Sequence, residues 1–409
     1  MQIVYAMNAT LMNYPPLEFM VLITISRIDR TLTMYGPQAL LGYVGLGILT
    51  VHFTIPTIYY LIAKDWLSRD WGIRPSDDRD PPFVSVIVPT YNEAKTITER
   101  LSDIASQEYP RDRLEIIVVD SGSIDGTLHR VYDWIRKHGD VKVKIIEEGV
   151  RLGKAHALNT ALKYAEGDVV VITDADSKWF PDSLRRAIAW LMGDGVGAVS
   201  CNKIPRHKGN VIEEEYRNYY DILRIAESKK YSSAIFHGEL AAYKKDLLLK
   251  IGGFPNYLGA DDSHTAGLIT LSGFRAIIPE DVRCIEYVPS KGYWSWRIRR
   301  AQHLVQNFSK LIGMVLTNRA KPPSDYRSVL FTEAYLHLVN PWLFLVGTAL
   351  VIVSAIQGAL LPMIVLLIGL ALLASRFFRT WVVTQAILAI AMIRNTWNKE
   401  LVWRKEEKD

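Results

Sequence analysis

The segment Thr173-Asp174-Ala175-Asp176 ends the apolar run 168–172 and sets two carboxylates two residues apart where a buried strand finishes. Such a pair can face a divalent cation, and a hard cation that bridges carboxylates to phosphate oxygens makes a diphosphate a leaving group. The pattern alone is weak, because turns and helix caps generate it often. Other segments add to it. Pro89-Thr-Tyr-Asn-Glu93 follows the apolar stretch 84–88. There Asn92 and Glu93 can bond ribose hydroxyls and Tyr91 can pack on a base, the plain alternative being a helix cap at Asn92. Asp120-Ser-Gly-Ser-Ile-Asp125 follows the stretch 114–119. Asp120 can accept hydrogen bonds from a nucleobase edge, while Ser123 and Asp125 read as caps of the next helix.

Gly153-Lys154-Ala-His-Ala-Leu-Asn159 opens a helix, where a lysine can reach a phosphate; the commoner fate is solvation, and no Gly-x-x-x-x-Gly-Lys-Ser/Thr loop occurs. Asp261-Asp262 lies in a turn after Gly252-Gly-Phe-Pro255. Adjacent carboxylates hold one another's pKa up, which suits a general base taking a proton from a hydroxyl; the plain reading is a helix start. Phe236-His-Gly-Glu239 is expected near the same cleft, without an assigned role. Arg297, Arg299 and Arg300 are cationic candidates for a departing diphosphate or for lipid headgroups.

The elements that must position these groups alternate. Strands are expected over 84–88, 114–119, 143–146 and 169–173, and helices over 94–107, 123–138 and 154–166. Apolar strands separated by helices imply a parallel sheet covered on both faces, with ligands beyond the carboxyl ends of the strands. Each polar segment above falls at such an end.

Membrane segments flank this core. Residues 35–63 carry no charge, long enough for a spanning helix, with Pro56 and His52 inside it marking a kink or a protein-facing side. Residues 336–356 and 359–375 read as a transmembrane hairpin, and 380–393 as a shorter segment that spans, re-enters or lies flat. Lys64, Arg69, Arg74, Arg319, Lys321, Arg327, Arg376 and Arg379 fall on one side, which puts the polar middle in the cytosol; Arg27 and Arg30 fall on the other. Residues 17–26 are apolar but short, and no secretory signal is read. Leu304, Val305, Phe308, Leu311, Ile312 and Val315 recur at helical spacing, which with Trp294 and Trp296 predicts a helix at the membrane surface. Four regions result: 1–75 with the first span, a catalytic domain over 76–290, the interface helix and linker over 291–326, and a C-terminal membrane region over 327–409.

A charge of +5 over 409 residues is too small and too uneven for a nucleic-acid binder. Cys201 and Cys284 show no paired spacing, so they are read as unpaired buried residues in a reducing compartment.

In order, the segments 84–93, 117–127, 153–159, 173–176 and 260–262 resemble the inverting glycosyltransferases of family two, which have the α/β GT-A nucleotide-sugar fold. The flanking helices resemble membrane members such as hyaluronan, chitin and cellulose synthases. The resemblance implies donor contacts from Pro89, Tyr91, Glu93, Asp120, Lys154, Asp174, Arg299 and Arg300. It also implies Mg2+ or Mn2+ on Asp176 and Asp174, and Asp262, with Asp261 beside it, as catalytic base. It implies a nucleotide-sugar donor, a lipid or glycan acceptor, contact with membrane lipids and cytosolic chemistry. The Gln-x-x-Arg-Trp motif of processive synthases has no counterpart in register; the chain reads Arg299-Arg-Ala-Gln-His303. A channel for a polymer would need more spans, which a homo-oligomer would supply. The runner-up is a processive polysaccharide synthase; a non-catalytic nucleotide-binding membrane protein and a nucleotidyltransferase are the readings from other classes.

Overall fold

The computed structural model describes residues 17–400 apart from 78–79, 206–210, 287 and 290. The basic tail beyond 400 and the side chains of Arg27 and Arg30 lie outside this description. Helix α1 (Leu17–Ser68) precedes strand β1 (Val84–Thr90), and α2 (Ile97–Ala105), β2 (Leu114–Asp120), α3 (Thr127–Lys137), β3 (Lys142–Glu147), α4 (Lys154–Leu162) and β4 (Val169–Ile172) follow. The four strands lie in the order β3-β2-β1-β4 and are all parallel, so each connection is a helical crossover. Side chains alternate between the two faces. Val84, Val86 and Val88 therefore join Ile116 and Val118 in one core, and Ile87 joins Ile117, Val119 and Val170 in the other. Pairing of Thr90 with Asp120 and of Ile87 with Ile172 brings the carboxyl ends of three strands to one edge.

Beyond β4 the sheet is mixed, a feature the apolar runs did not disclose. After β5 (Lys178–Trp179), α5 (Ser183–Leu191), β6 (Val196–Ser200), β7 (Asn202–Pro205) and α6 (Val211–Lys230) comes β8 (Ala241–Lys244), antiparallel to both β4 and β6. Then α7 (Lys245–Lys250), α8 (Asp261–Leu271), β9 (Arg275–Ile277) and β10 (Arg283–Glu286) complete a seven-stranded sheet and a small one ordered β5-β10-β7. Cys201 and Cys284, expected to be unpaired, form a disulfide and are fully buried. They are 83 residues apart, so no local spacing signals the pair; it forms because β7 runs parallel to β10. The missing sequence signal therefore carries no information about redox compartment.

The remaining helices are α9 (Tyr293–Leu316), α10 (Ser324–Leu338), α11 (Asn340–Ile356), α12 (Leu360–Leu372) and α13 (Arg376–Arg394). Among the described residues, 39–68 and α13 are each long and apolar enough to cross a membrane, and α10 with α11 passes as a pair bent by 42°. The expected hairpin differs in length: α12 has 13 residues, a rise of roughly 20 Å against a hydrocarbon core of about 30 Å. The segment left open at 380–393 is the longer one, because its helix begins at Arg376.

The chain divides into two compact units. One comprises residues up to Thr54 with Trp342–Ala374. In it His52 is buried against the rings of Phe53 and Phe344, the protein-facing side that its sequence position suggested. The other comprises Ile55–Pro341 and Ser375–Asp409 and carries the sheets. Here the apolar face of α9 is covered by protein rather than left for lipid. Phe308 and Leu311 pack with Tyr326, Val329 and Leu330 of α10, and Val305 packs with Ile387, Leu388 and Ala391 of α13. Trp294 is exposed and Trp296 is buried.

Candidate active site

The loops after β1 and β2 are laced together by side chains accepting backbone N–H groups. Asn92, at φ 58°, donates its N–H to Ser123 Oγ (2.8 Å) and accepts from Ile124 through Oδ1 (2.9 Å). Glu93 donates its N–H to Thr127 Oγ1 (2.7 Å), and Ala94 to Asp125 Oδ2 (3.0 Å). Asp125 Oδ1 also accepts from the N–H of Thr127, the first residue of α3, but the cap position itself is Gly126 and Ser123 Oγ turns to Asn92 and Asp120 rather than to the helix. Asp120 is buried and accepts from Ser123 N and Oγ and from Thr90 Oγ1. It is not among the cavity-lining residues; what it visibly does is fix the turn that presents Ser121.

One cavity of about 330 Å³ opens at this edge of the sheet. Pro89, Tyr91, Glu93, Lys154, Asp174, Asp176, Asp261, Asp262, Arg299 and Arg300 all line it, so ten of the eleven residues that the family resemblance assigned share one cavity, Asp120 being the exception. Lys154, the first residue of α4 after Gly153 at φ 104°, donates to Asp174 Oδ1 at 2.7 Å and stands 3.6 Å from Asp261 Oδ2. Burial pulls the lysine pKa down, but Asp174, then Asp261 and Asp262, outweigh it and hold the ammonium charged well above its usual range. The turn holding Asp174 and Asp176 is pinned from behind, since Thr173 Oγ1 (2.8 Å) and Trp179 Nε1 (2.7 Å) both donate to the Glu239 carbonyl.

Asp261 and Asp262 occupy the first turn of α8, where the exposed N–H groups favour negative charge. Burial, then Asp262 and Asp174, push Asp261 up to about 6 against the pull of Lys154. Asp262 Oδ1 accepts from the Ser263 N–H at 2.6 Å. The expected segment 236–239 does reach the cleft: a methyl on Gly238 would come 2.8 Å from Lys154 Nζ and 3.4 Å from Asp262 Oδ2. Only a glycine lets this backbone lie so close to both groups. A second glycine, Gly259, is flush against His303 of α9, and its N–H donates to Gln306 Oε1 at 3.0 Å. Gln306 Nε2 donates in turn to Asn395 Oδ1 (2.9 Å) and the Lys399 carbonyl (2.8 Å). Burial, then Arg299, lower His303 to about 4, so its ring is neutral at physiological pH.

The inner end of the cavity was not foreseen. Lys203 of β7 pairs with Glu239 (3.1 Å) and with Glu286 of β10 (3.0 Å), and Glu286 also takes Arg217 of α6 and Arg300 of α9 (2.6 Å). Burial opposes the charge on Glu286, yet Arg217, Lys203 and Arg300 hold it well below the usual carboxylate range. These partners come from elements distant in sequence, and no motif announces their meeting; Glu239 lay in a flagged segment and Arg300 was a candidate cation, while Lys203, Arg217 and Glu286 were not foreseen.

Asp174 and Asp176 suit a hard divalent cation, which takes one or two protein carboxylates and completes its shell with water and substrate phosphates. Among the described residues no set of three His, Cys, Asp or Glu side chains stands at metal-binding distance, so the phosphate oxygens would have to supply the remaining ligands.

A mixed α/β sheet that carries Asp174 and Asp176 just beyond β4, with Asp261 and Asp262 at the start of α8 lining the same cavity, has the form of a sugar-nucleotide transferase of the GT-A type. The chain belongs to the family-two glycosyltransferases: residues 85–252 match Glycosyl transferase family 2, and 169–393 match Glycosyl transferase family group 2. It is 47% identical, with a TM-score of 0.81, to the mannosyltransferase PcManGT from Pyrobaculum calidifontis, solved in complex with GDP-Man and Mn2+; the match covers 88% of this chain and 100% of that one. Glycosyltransferase AglE of Haloferax volcanii is 30% identical over 49% of this chain and 66% of its own length. Poly-beta-1,6-N-acetyl-D-glucosamine synthase of Staphylococcus epidermidis is 26% identical over 62% of each. The chain thus spans just under two thirds of these two curated relatives.

Proposed function

We propose that this chain is a membrane-embedded inverting mannosyltransferase that takes mannose from GDP-mannose and passes it to a hydroxyl of a lipid-linked acceptor at the cytosolic face. The convergence of Asp174, Asp176, Lys154, Asp261 and Asp262 in one cavity carries the reading. Similarity to a mannosyltransferase bound to GDP-Man and Mn2+ supports the donor and a divalent cofactor, Mn2+ or Mg2+. The candidate spans support the membrane location, with 76–290 as the catalytic domain between membrane regions at either end.

In this mechanism Asp262 accepts the proton of the acceptor hydroxyl, whose oxygen attacks the anomeric carbon from the face opposite the diphosphate. The anomeric C–O bond breaks, its electron pair goes to the diphosphate oxygen, and configuration inverts. Lys154 supplies positive charge to the departing diphosphate, and such preorganised charge is often the largest catalytic term. A divalent cation held by Asp174 and Asp176 would neutralise further charge there. Asp261 stands beside the base and holds Lys154 by charge at 3.6 Å, and Arg299 lines the cavity as a further cation. Asp120 acts by holding the loop that the donor meets.

The test uses the purified full chain with labelled GDP-mannose and Mn2+, scoring released GDP and product extracted into organic solvent. Asp262→Asn should bind GDP normally while turnover falls roughly 10²- to 10⁴-fold. Near-normal transfer by that variant removes Asp262 from the role of base, and a water-soluble polymer in place of a short glycolipid would favour the polysaccharide-synthase reading.

A further inference from the structure

The same cavity continues past Asp262 to an inner end built by α6 and α9, and that end has a chemistry of its own. Most of its cations are matched by carboxylates, while Arg297, which also lines the cavity, lies over the Tyr216 ring at 4.4 Å and donates to Tyr293 Oη at 3.0 Å. Lys203, Arg217 and Arg300 converge on Glu286, Glu239 takes Lys203 as well, and Arg224 is held by Glu227 (2.9 Å) and Glu333 (2.8 Å). A phosphate entering here would compete with buried carboxylates and would also face Asp221. The Asp221 carboxylate lines the cavity and has no hydrogen bond or ion pair among the described residues. Burial raises Asp221 to about 6 although Arg217 and Lys203 pull it down. The same space is lined by the rings of Tyr216 and Tyr220, with centroids 4.4 Å apart, and of Trp296; Arg297 lies over Tyr216 (4.4 Å), Arg224 over Tyr220 (5.5 Å) and Arg300 over Trp296 (4.7 Å), so each ring offers a ligand one face at most. Farther along, Leu304 of α9 and Ile387 and Leu388 of α13 make the wall apolar, and α13 is one of the candidate spans.

We infer that the inner end is a subsite for a neutral sugar, the acceptor's own, whose hydroxyls donate to Asp221 while its C–H face packs on the tyrosines. An apolar aglycone attached to that sugar then leaves along Leu304, Ile387 and Leu388. A carboxylate that lacks donors is matched by a polyol, aromatic rings match the apolar face of a pyranose, and internally paired cations disfavour an anion. This rests on the glycosyl-transfer reading above and narrows it: the acceptor is a glycolipid sugar hydroxyl, not a lipid phosphate. It also fits a dedicated base, since a phosphate nucleophile is already anionic and needs none.

The experiment offers octyl α-D-mannoside, octyl β-D-N-acetylglucosaminide and farnesyl phosphate as probes to the full chain with GDP-mannose and Mn2+. Transfer to an octyl glycoside and not to farnesyl phosphate is expected. Binding of the same glycosides in the presence of GDP and Mn2+, measured by calorimetry, does not depend on turnover. Asp221→Asn and Asp221→Ala should each weaken glycoside binding about tenfold or more while the Kd for GDP stays as in the parent. Transfer to farnesyl phosphate alone, or glycoside affinity unaltered in both variants, overturns the subsite. A parent chain that binds the glycosides but consumes no GDP-mannose would instead overturn the transferase reading and leave the subsite standing.

Discussion

Lys154 is held where burial alone would strip its proton, and three carboxylates reverse that outcome. The coupling runs both ways. Its charge is the main influence keeping Asp261 from rising further, because burial and the neighbouring Asp262 and Asp174 all push that carboxyl upward, to about 6. Asp261 therefore loses its negative charge as pH falls through about 6, which changes the field at the base beside it and at Lys154. The acid limb of kcat/KM should accordingly show an inflection near pH 6 that reports Asp261. Removing the lysine charge removes the downward pull, so Lys154→Met should move that inflection to higher pH, and Lys154→Arg should largely restore it. A pH profile with the same inflection in Lys154→Met as in the parent would show that Lys154 does not set the ionisation of Asp261, whatever it does to donor binding.

Elements place these groups through one relay that begins at the far end of the chain. The stretch from Asn395 to Glu400 lies along α9: Gln302 Nε2 donates to the Asn398 carbonyl (2.8 Å), Asn395 Nδ2 donates to the Gln302 carbonyl (3.1 Å), and Gln306 binds both Asn395 and Lys399. The other end of the Gln306 amide accepts from Gly259, two residues before Asp261. The helix that reads in sequence as a membrane-surface element thus works as a brace between a C-terminal strap and the loop that aims the catalytic acids. Gln306 is a positioning residue here. Gln306→Leu should lower kcat about tenfold with the KM for donor unchanged, the loss expected from one or two buried hydrogen bonds. Gln306→Glu keeps the acceptor for Gly259 and loses the donation to Asn395 and Lys399, so it should fall between; Asn395→Ala should do the same. If Gln306→Leu keeps full kcat while melting earlier, the glutamine serves stability only.

On the scale of the whole chain, the legible part is the part with a local period. The runs at 84–88, 114–119 and 169–173 and the helices between them are written in neighbouring residues, which is why β1, β2 and β4 and the strand-end acids could be located from sequence. What could not be read is made by residues far apart. The two- to four-residue strands β5, β7 and β10 are too short to show alternation, the antiparallel insertion of β8 leaves no trace in composition, and Arg217, Asp221 and Glu286 meet only through the fold. The apolar stripe of α9 was visible but not its covering, because sequence shows a greasy face without showing its neighbour. The cysteines are the clearest case, since the disulfide encloses α6, β8, α8 and β9 and fastens the sheet that carries Lys203 and Glu286. Constraining a separation of 83 residues in the unfolded chain is worth about 4.5 kcal/mol by loop-closure entropy. The Cys201→Ala/Cys284→Ala double variant should accordingly melt about 5 °C earlier. Thiol labelling of the denatured protein decides the premise directly: no reactive thiol before reduction and two after it are expected. Two thiols labelled without any reductant would mean that β7 and β10 are held by hydrogen bonds and the Glu286 ion pairs alone, and the double variant would then melt with the parent.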